Sequence, residues 1–116
     1  MTNEKIQIYG DGTQTRDYIF AKDAITQSVS AMKSGAKGIY NIGSGTQTSI
    51  NQIISILQKL CGYKIAVEYL PQNPNDLKHS CADISAAKKA FSFNPTTTIE
   101  DGIKQVYSDY LSRMHK

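Results

Sequence analysis

The sequence predicts an α/β fold made of short strands and about four helices. Short runs in which apolar and polar residues alternate indicate strands, and longer runs in which apolar residues recur every three or four positions indicate amphipathic helices. Glycines, prolines and helix-capping residues separate these runs along the chain. The resulting order, β-α-β-α-β-α-α, fits the α/β class.

The first part of the chain is predicted to contain a strand, a helix and a second strand. The strand at residues 6–9 ends at a tight turn, for which Gly10-Asp11-Gly12 supplies positive φ angles. Residues 17–20 are β-prone, and the apolar run at residues 38–42 predicts a further strand. Between them, a helix from about Asp23 to Gly35 is predicted from residues at helical spacing, namely Ala24, Ile25, Ser28, Val29 and Met32.

The centre of the chain is predicted to form a capped helix followed by a strand. Ser49 is followed three residues later by Gln52, which is the spacing of a capping box. Gly62 stands where a helix commonly ends in a left-handed residue. A strand at residues 65–69 follows. The helix between these signals carries an apolar stripe formed by Ile50, Ile53, Ile54, Leu57 and Leu60.

Two helices are predicted after a polar, proline-containing loop at residues 71–76. Asp83 is predicted to cap a short helix over residues 84–91, which Asn94-Pro95 ends. Thr98 and Asp101 have the spacing of a second capping box and are predicted to open the last helix. That helix carries Ile103, Val106, Tyr107, Tyr110, Leu111 and Met114.

The bulk composition is that of one modest globular domain or of part of a larger one, with 116 residues, 40% hydrophobic and 20% charged. The net charge of +3 includes no run of five like charges, so no nucleic-acid partner is expected. No segment resembles a signal peptide or a membrane span, and a cytoplasmic chain without membrane association is expected. Cys61 and Cys81 lack metal-ligand spacing, so no metal site is predicted and both are expected to be free thiols.

The loop at residues 43–48 is a candidate phosphate-binding loop, because Gly43-x-Gly45 lies between a predicted strand and a helix. Thr48 replaces the third glycine of the dinucleotide-binding pattern, although Glu68 stands about twenty residues further on, where a ribose-binding acid is found in that pattern. A partial pattern is weak. A tight β-to-α turn is therefore the preferred interpretation, and a mononucleotide site stays as an alternative.

Tyr18 and Lys22 match the YxxxK pair, in which a lysine lowers the pKa of a catalytic tyrosine. The pair requires helical spacing, whereas Tyr18 lies in a β-prone run, so the match is interpreted as coincidental. No catalytic residue is therefore assigned. No nucleophile or acid stands at a sequence spacing from His79 that would indicate a catalytic pair, so His79 is interpreted as structural.

Arg16, Tyr18 and Asp76 are the stronger candidates for binding. An arginine directly after a glycine turn offers a bidentate fork for a diphosphate, and a neighbouring tyrosine can stack or donate a hydrogen bond. Arg16 paired with Asp17 on the surface is an equally good interpretation from spacing alone. Asp76 suits a ribose diol, but it is also a residue that shapes turns.

At these residues the chain resembles the C-terminal, substrate-binding half of the extended short-chain dehydrogenases, the family of UDP-glucose 4-epimerase and other NAD-dependent nucleotide-sugar epimerases and dehydratases. The resemblance covers nearly the whole chain in the family's order and spacing. It rests on GDGTQTRDYIFAKD at residues 10–23, YNIGSG at 40–45, the stretch containing HSCADIS at 73–87, and PTTTIEDGI at 95–103.

The resemblance implies that a nucleotide-diphosphate sugar, expected to be a UDP-sugar, binds between a Rossmann half and this half. By this carry-over Arg16 contacts the diphosphate, Tyr18 lines the same pocket, and Asp76 faces the ribose. Asn73 stands where the family usually has a second phosphate-binding arginine. A neutral amide cannot replace that charge, which leaves the nucleotide affinity of the chain open.

The resemblance also implies that residues 1–116 form a single C-terminal domain or fragment whose N-terminal NAD-binding Rossmann domain is absent. NAD is then expected to be held by that other half, no cofactor-binding residue is assigned here, and the fragment alone is expected to be inactive. The apolar residues Ile25, Val29 and Met32 would lack their usual partner, so the isolated chain is expected to self-associate or rearrange there. A free-standing nucleotide-binding or interaction module without catalysis is the alternative.

Overall fold

The computed structural model describes residues 5–114, which form four helices and four short strands and confirm the predicted α/β class. In chain order the elements are β1 (Ile6–Tyr9), β2 (Thr15–Arg16), α1 (Ala21–Ser34), β3 (Thr48–Ser49), α2 (Ile50–Cys61), β4 (Val67–Leu70), α3 (Ser85–Phe91) and α4 (Ile99–Met114).

The strands form two separate pairs. β1 runs parallel to β4, with Ile6 opposite Val67 and Tyr9 opposite Leu70. β2 runs antiparallel to β3, with Thr15 opposite Ser49. A two-stranded pair is marginal in water without further packing, so each depends on the helices and loops around it.

Local capping chemistry fixes α2 as predicted. The Ser49 hydroxyl accepts a hydrogen bond from the Gln52 backbone N–H at 3.1 Å, and the Gln52 side chain accepts one from the Ser49 N–H at 2.7 Å. Gly62 ends the helix at φ 76°, a left-handed conformation that costs glycine little. The apolar stripe of α2 faces the interior as expected, although only Ile54 in it is fully buried.

α3 and α4 form where they were predicted, with changes at their first residues. α3 begins at Ser85 instead of residue 84, and the Asp83 carboxylate accepts a hydrogen bond from the Ser85 N–H at 3.0 Å. The Thr98 hydroxyl accepts from the Asp101 N–H at 3.1 Å, but it also donates to the Asp101 carboxylate. α4 therefore has the first half of a capping box without the reciprocal bond.

The main core packs α3 against the loops around it. Ile84, Ala87 and Phe93 are buried, with Phe93 only 1% exposed. Phe91 makes edge-to-face contacts with Tyr40 and with Phe93 at centroid distances of 5.4 and 6.3 Å. Such contacts add to the hydrophobic contribution of the rings. This core is small for a chain of 116 residues.

The β-prone residues 17–20, which were not counted among the predicted strands, do not form one. β2 ends at Arg16 because its partner β3 is only two residues long and because the Asp17 side chain turns toward the loop at residues 43–45. The third predicted strand is present but lies at Val67–Leu70 instead of residues 65–69.

The predicted strand at residues 38–42 is also not formed. Its side chains alternate as in a strand, with Tyr40 and Ile42 packed against the core and Ile39 99% exposed. A strand additionally requires a neighbour for its backbone hydrogen bonds. No strand within residues 5–114 pairs with this segment.

The chain is flat, measuring 51 × 41 × 19 Å, with a radius of gyration of 17.0 Å. A compact domain of this length has a radius of gyration of about 13 Å. The accessible surface is 8569 Å², whereas a compact monomer of 12.8 kDa exposes roughly 6,300 Å². The difference of roughly 2,300 Å² is the area that one partner buries in a large obligate interface.

Part of this surface is a row of apolar side chains on α1, here called the α1 face: Ile25, Val29 and Met32. They follow helical spacing and are 66%, 42% and 82% exposed. Three apolar side chains on one side of a helix normally pack against another element. Within residues 5–114 no other element covers these side chains, and self-association or rearrangement of the isolated chain at this face stays a prediction.

Candidate functional site

A three-segment backbone framework positions the predicted binding residues. β2 pairs with β3 on one side, and on the other Thr15 forms a parallel bridge with His79. The Thr15 N–H donates to the Lys78 carbonyl at 2.9 Å, and the Thr15 carbonyl accepts from the Ser80 N–H at 3.2 Å. Thr15 therefore sits at the centre of this framework, and Arg16 directly follows it along β2.

His79 belongs to this framework. Its Nδ1 lies 2.9 Å from the Thr15 hydroxyl oxygen, which lies equally close to the Gln47 side-chain oxygen. These contacts join β2 to two distant segments. They agree with the interpretation of His79 as a structural residue.

Arg16 and Asp76, both predicted from the sequence as binding residues, meet directly. Arg16 Nη2 donates to Asp76 Oδ1 at 2.7 Å, and Nη1 donates to the Thr15 carbonyl at 2.8 Å. The two side chains are 30% and 44% exposed, so a ligand can reach them. Arg16 pairs with Asp76 and not with Asp17, so the surface pair that spacing allowed is not formed.

Arg16 lines a cavity of about 370 Å³. The volume lies within the range of small-molecule sites. Its remaining lining comes from the loop after α1 and from the segment before α3. Those residues are Asp17, Ile19, Asn41, Ile42, Gly43, Ser80, Cys81, Ala82 and Asp83.

Asn73 takes part in a turn. Its side-chain oxygen accepts a hydrogen bond from the Asn75 N–H at 3.0 Å, and its carbonyl accepts one from the Asp76 N–H at 3.0 Å. This Asx turn fixes the backbone of the loop that carries Asp76. A direct contact of Asn73 with a ligand remains a prediction, and the turn gives it a second role.

Tyr18 does not line the cavity that contains Arg16. It is 36% exposed and borders two others, an apolar one of about 420 Å³ between α2 and α4 and a polar one of about 310 Å³ next to the start of α4. The chain has left β2 at this point, so the alternation that would place it beside Arg16 is lost. Its role in binding stays a prediction.

Tyr18 and Lys22 do not share a helix, because Tyr18 precedes α1 and Lys22 lies in its first turn. The YxxxK spacing therefore lacks the geometry that a catalytic pair requires.

Asp17 is a structural anchor that the sequence analysis did not identify. Its carboxylate accepts hydrogen bonds from the backbone N–H groups of Ser44 at 2.6 Å, Gly45 at 2.9 Å and Ala82 at 3.2 Å. Burial raises the pKa of this carboxyl, but the hydrogen bonds outweigh burial and the pKa lies below its usual value. Asp17 thereby joins the loop at residues 43–45 to the segment before α3.

This arrangement bears on the interpretation of the Gly43 loop. The N–H groups that a phosphate would require already donate to Asp17. A Cβ on Gly43 would lie 2.7 Å from both the Asp17 carboxylate and Ala82 Cβ, so this glycine is needed for close packing within the chain. Glu68 accepts a hydrogen bond from Gln7. These contacts support the preferred interpretation of the loop as a tight turn, and the mononucleotide site stays an untested alternative.

Asp23 has a similar role at the start of α1. It is 8% exposed and accepts hydrogen bonds from the backbone N–H groups of Thr96 at 3.0 Å and Thr97 at 2.7 Å. Burial raises the pKa of this carboxyl, and the hydrogen bonds from Thr97 and Thr96 lower it by more. Asp23 therefore anchors α1 to the segment before α4. We refer to Asp17, Asp23 and the N–H groups they hold as the polar junction.

The cysteines are free thiols, as expected. Cys61 is half-buried in α2, and Cys81 is exposed at the cavity with its Sγ 3.9 Å from Asp17 Oδ2. Within residues 5–114, no three acidic, histidine or cysteine side chains cluster as a metal site would require. None of the described helices combines the length and the apolar content that crossing a bilayer needs.

The chain resembles known proteins over most of its length. Residues 1–106 match the protein family described as GDP-mannose 4,6 dehydratase. A UDP-glucuronate 4-epimerase from Thermodesulfobacterium geofontis is 43% identical over 101 residues, which are 86% of this chain and 31% of the relative. A UDP-glucose 4-epimerase from Mycolicibacterium smegmatis is 30% identical over 84% of this chain and 31% of its own length.

Solved structures give the same result. The UDP-glucuronic acid 4-epimerase from Bacillus cereus, in complex with UDP-glucuronic acid and NAD, superposes with a TM-score of 0.85 at 35% identity, over 97% of this chain and 36% of that one. The UDP-glucose 4-epimerase from Thermotoga maritima with UDP-glucose gives 0.86 at 30% identity, over 98% and 37%. The chain thus spans about a third of the length of the relatives it matches.

Proposed function

This chain belongs to the GDP-mannose 4,6 dehydratase family, which includes NAD-dependent nucleotide-sugar epimerases, and we propose that it forms the substrate-side portion of such an enzyme. The proposed ligand is a nucleotide-diphosphate sugar, with a UDP-sugar preferred because the relatives at 30% identity or more are named for UDP-sugars. The reaction of the whole enzyme, inactivity of this portion alone and a cytoplasmic location are parts of the same proposal.

The observation that carries the proposal is the placement of Arg16. Arg16 lines a cavity of about 370 Å³, and its side chain remains partly exposed and paired with Asp76, which lies outside the lining of that cavity. A guanidinium has five N–H donors in a planar fork, of which the structure uses two within the chain. The remaining donors suit the oxygens of a diphosphate. Asp76 supplies the acceptor that a ribose hydroxyl would need.

In this proposal NAD binds to a partner domain and not to this chain. The Gly43 loop is the segment of the chain with a resemblance to a dinucleotide-binding turn, and its N–H groups are occupied by Asp17. The relatives in complex with NAD are about three times as long as this chain. A Rossmann half is therefore the proposed holder of the cofactor.

The flat shape supports docking of such a partner. The chain exposes roughly 2,300 Å² more than a compact protein of its mass, and the α1 face lies on that surface. A surface of this size in a soluble chain favours either a partner domain or a second copy. We propose that the Rossmann half covers it, and that self-association replaces this contact when the chain is alone.

Calorimetric titration of the chain with UDP and with UDP-sugars tests the proposed function. We expect saturable binding that falls at least tenfold in Arg16→Ala, because a charge-assisted bidentate contact contributes about 1.5–3 kcal/mol. Lys22→Ala is the matched control, since it removes a positive charge six residues away, in the first turn of α1.

Absence of UDP binding by the wild-type chain would contradict the proposed site. It would favour the alternative of an interaction module without nucleotide binding. Equal loss in Arg16→Ala and Lys22→Ala would indicate a general effect of charge and would equally count against Arg16 as the diphosphate ligand.

A further inference from the structure

Asp76 occupies one of the two terminal nitrogens of Arg16 that a bidentate contact at the end of the guanidinium uses. The carboxylate sits 2.7 Å from Nη2, and Nη1 is held by the Thr15 carbonyl at 2.8 Å. Phosphate oxygens approach a guanidinium along the same fork that a carboxylate uses. This step rests on the proposed function, in which Arg16 is the diphosphate-binding residue.

The loop holds Asp76 in this position through its own hydrogen bonds. Asn73 accepts from Asn75 with its side chain and from Asp76 with its carbonyl, both at 3.0 Å. Pro74 restricts the backbone between them. The carboxylate is thus delivered to Arg16 by an ordered turn, which makes Asn73 a positioning residue.

The charges of the residues around the cavity determine what the Arg16–Asp76 pair means for the binding of an anion. Arg16 is the only cation among the residues that line it, and Asp17 and Asp83 line it as well. These three residues give the lining a net charge of −1, and Asp76 adds a further negative charge at the guanidinium itself. An incoming diphosphate gains both terminal nitrogens of the guanidinium, free of this opposing charge, only when the Asp76 carboxylate moves away.

We propose that Asp76 is a built-in competitor that occupies Arg16 until a diphosphate displaces it. The pair keeps Arg16 oriented in the empty site and raises the concentration of diphosphate needed to fill it. Once displaced, the Asp76 carboxylate is free to accept a hydrogen bond from another group of the ligand. A ligand with a ribose hydroxyl therefore gains a contact that offsets the broken ion pair, whereas a bare diphosphate gains none.

Binding of inorganic pyrophosphate separates this competition from ribose recognition, because pyrophosphate has no ribose. We expect Asp76→Asn to bind pyrophosphate roughly fivefold more tightly than the wild type, the upper end for an exposed ion pair. The gain should be absent when Arg16→Ala is added. Asp83→Asn is the matched control, since it removes one negative charge from the cavity that Arg16 lines while its side chain can still accept from Ser85.

A second variant tests the positioning role. Asn73→Ala keeps the Asp76 charge but removes the side-chain acceptor of the turn, and we expect a smaller gain in pyrophosphate affinity than in Asp76→Asn. No gain in Asp76→Asn beyond that in Asp83→Asn would overturn the inference. That result is independent of UDP binding by the wild type, on which the proposed function depends.

Discussion

In the polar junction, contacts within the chain satisfy the polar groups, whereas on the α1 face they leave the apolar side chains uncovered. In the junction, Asp17 and Asp23 are matched by backbone N–H groups from segments far along the chain. On the α1 face, Met32 and Ile25 are more than 60% exposed. The geometry around Arg16 is therefore set within the chain, whereas the apolar side chains of the α1 face are left uncovered by it.

The junction is where a single substitution should have the largest effect. Asp17→Ala leaves the N–H groups of Ser44, Gly45 and Ala82 without their acceptor. Because hydrogen bonds to a charged group contribute about 1.5–3 kcal/mol each and are not additive, we expect the free energy of unfolding to fall by about 3 kcal/mol. Urea unfolding measured by circular dichroism checks this.

Asp109→Ala is the control, because Asp109 is an exposed carboxylate on α4. Acid provides a second readout. The pKa of Asp17 is lower in the folded chain, so its contribution is present above about pH 4 and is lost as the pH falls through the folded pKa. Unfolding midpoints of Asp17→Ala and Asp109→Ala that coincide would show that the junction does not hold the fold.

The α1 face should respond in the opposite way, with a small effect on stability and a clear effect on association. Met32 is 82% exposed, so Met32→Glu should change the free energy of unfolding by less than about 0.5 kcal/mol. It should weaken self-association of the wild-type chain, because a charge would be buried in an apolar contact. Sedimentation velocity over a concentration series measures this.

Gln105→Glu adds the same charge at an exposed position of α4 and should leave association unchanged. A wild-type chain that stays monomeric at all concentrations would contradict the proposal that the α1 face is covered by a partner. Association that persists in Met32→Glu would place the contact elsewhere on the surface.

The elements that were predicted correctly are those that residues close together in the sequence determine. The Ser49–Gln52 capping box and the terminal Gly62 are local, and α2 forms between them as expected. The four helices follow from the same kind of signal. The stretch at residues 38–42 has the side-chain pattern of a strand, but strand formation requires a partner that a pattern cannot supply.

The site was predicted residue by residue, and its connections were not. Arg16 and Asp76 were selected from motif and loop context, yet their ion pair joins positions 60 residues apart. The backbone N–H groups that donate to the Asp17 carboxylate lie 27 to 65 residues away along the chain. Contacts at such separations depend on the fold, so adjacent residues such as Arg16 and Asp17 gave no sign that one pairs with Asp76 and the other closes a turn.

The central claim is that Arg16 is the diphosphate ligand of a site built within this chain. The sequence contains two arginines, Arg16 and Arg113, so the side-chain Nε–H region of a nitrogen-15 NMR spectrum should hold two signals that are easily assigned with Arg113→Lys. On addition of UDP, we predict that the Arg16 signal shifts saturably while the Arg113 signal stays in place. An Arg16 signal that does not move, or two signals that move together, would contradict the account.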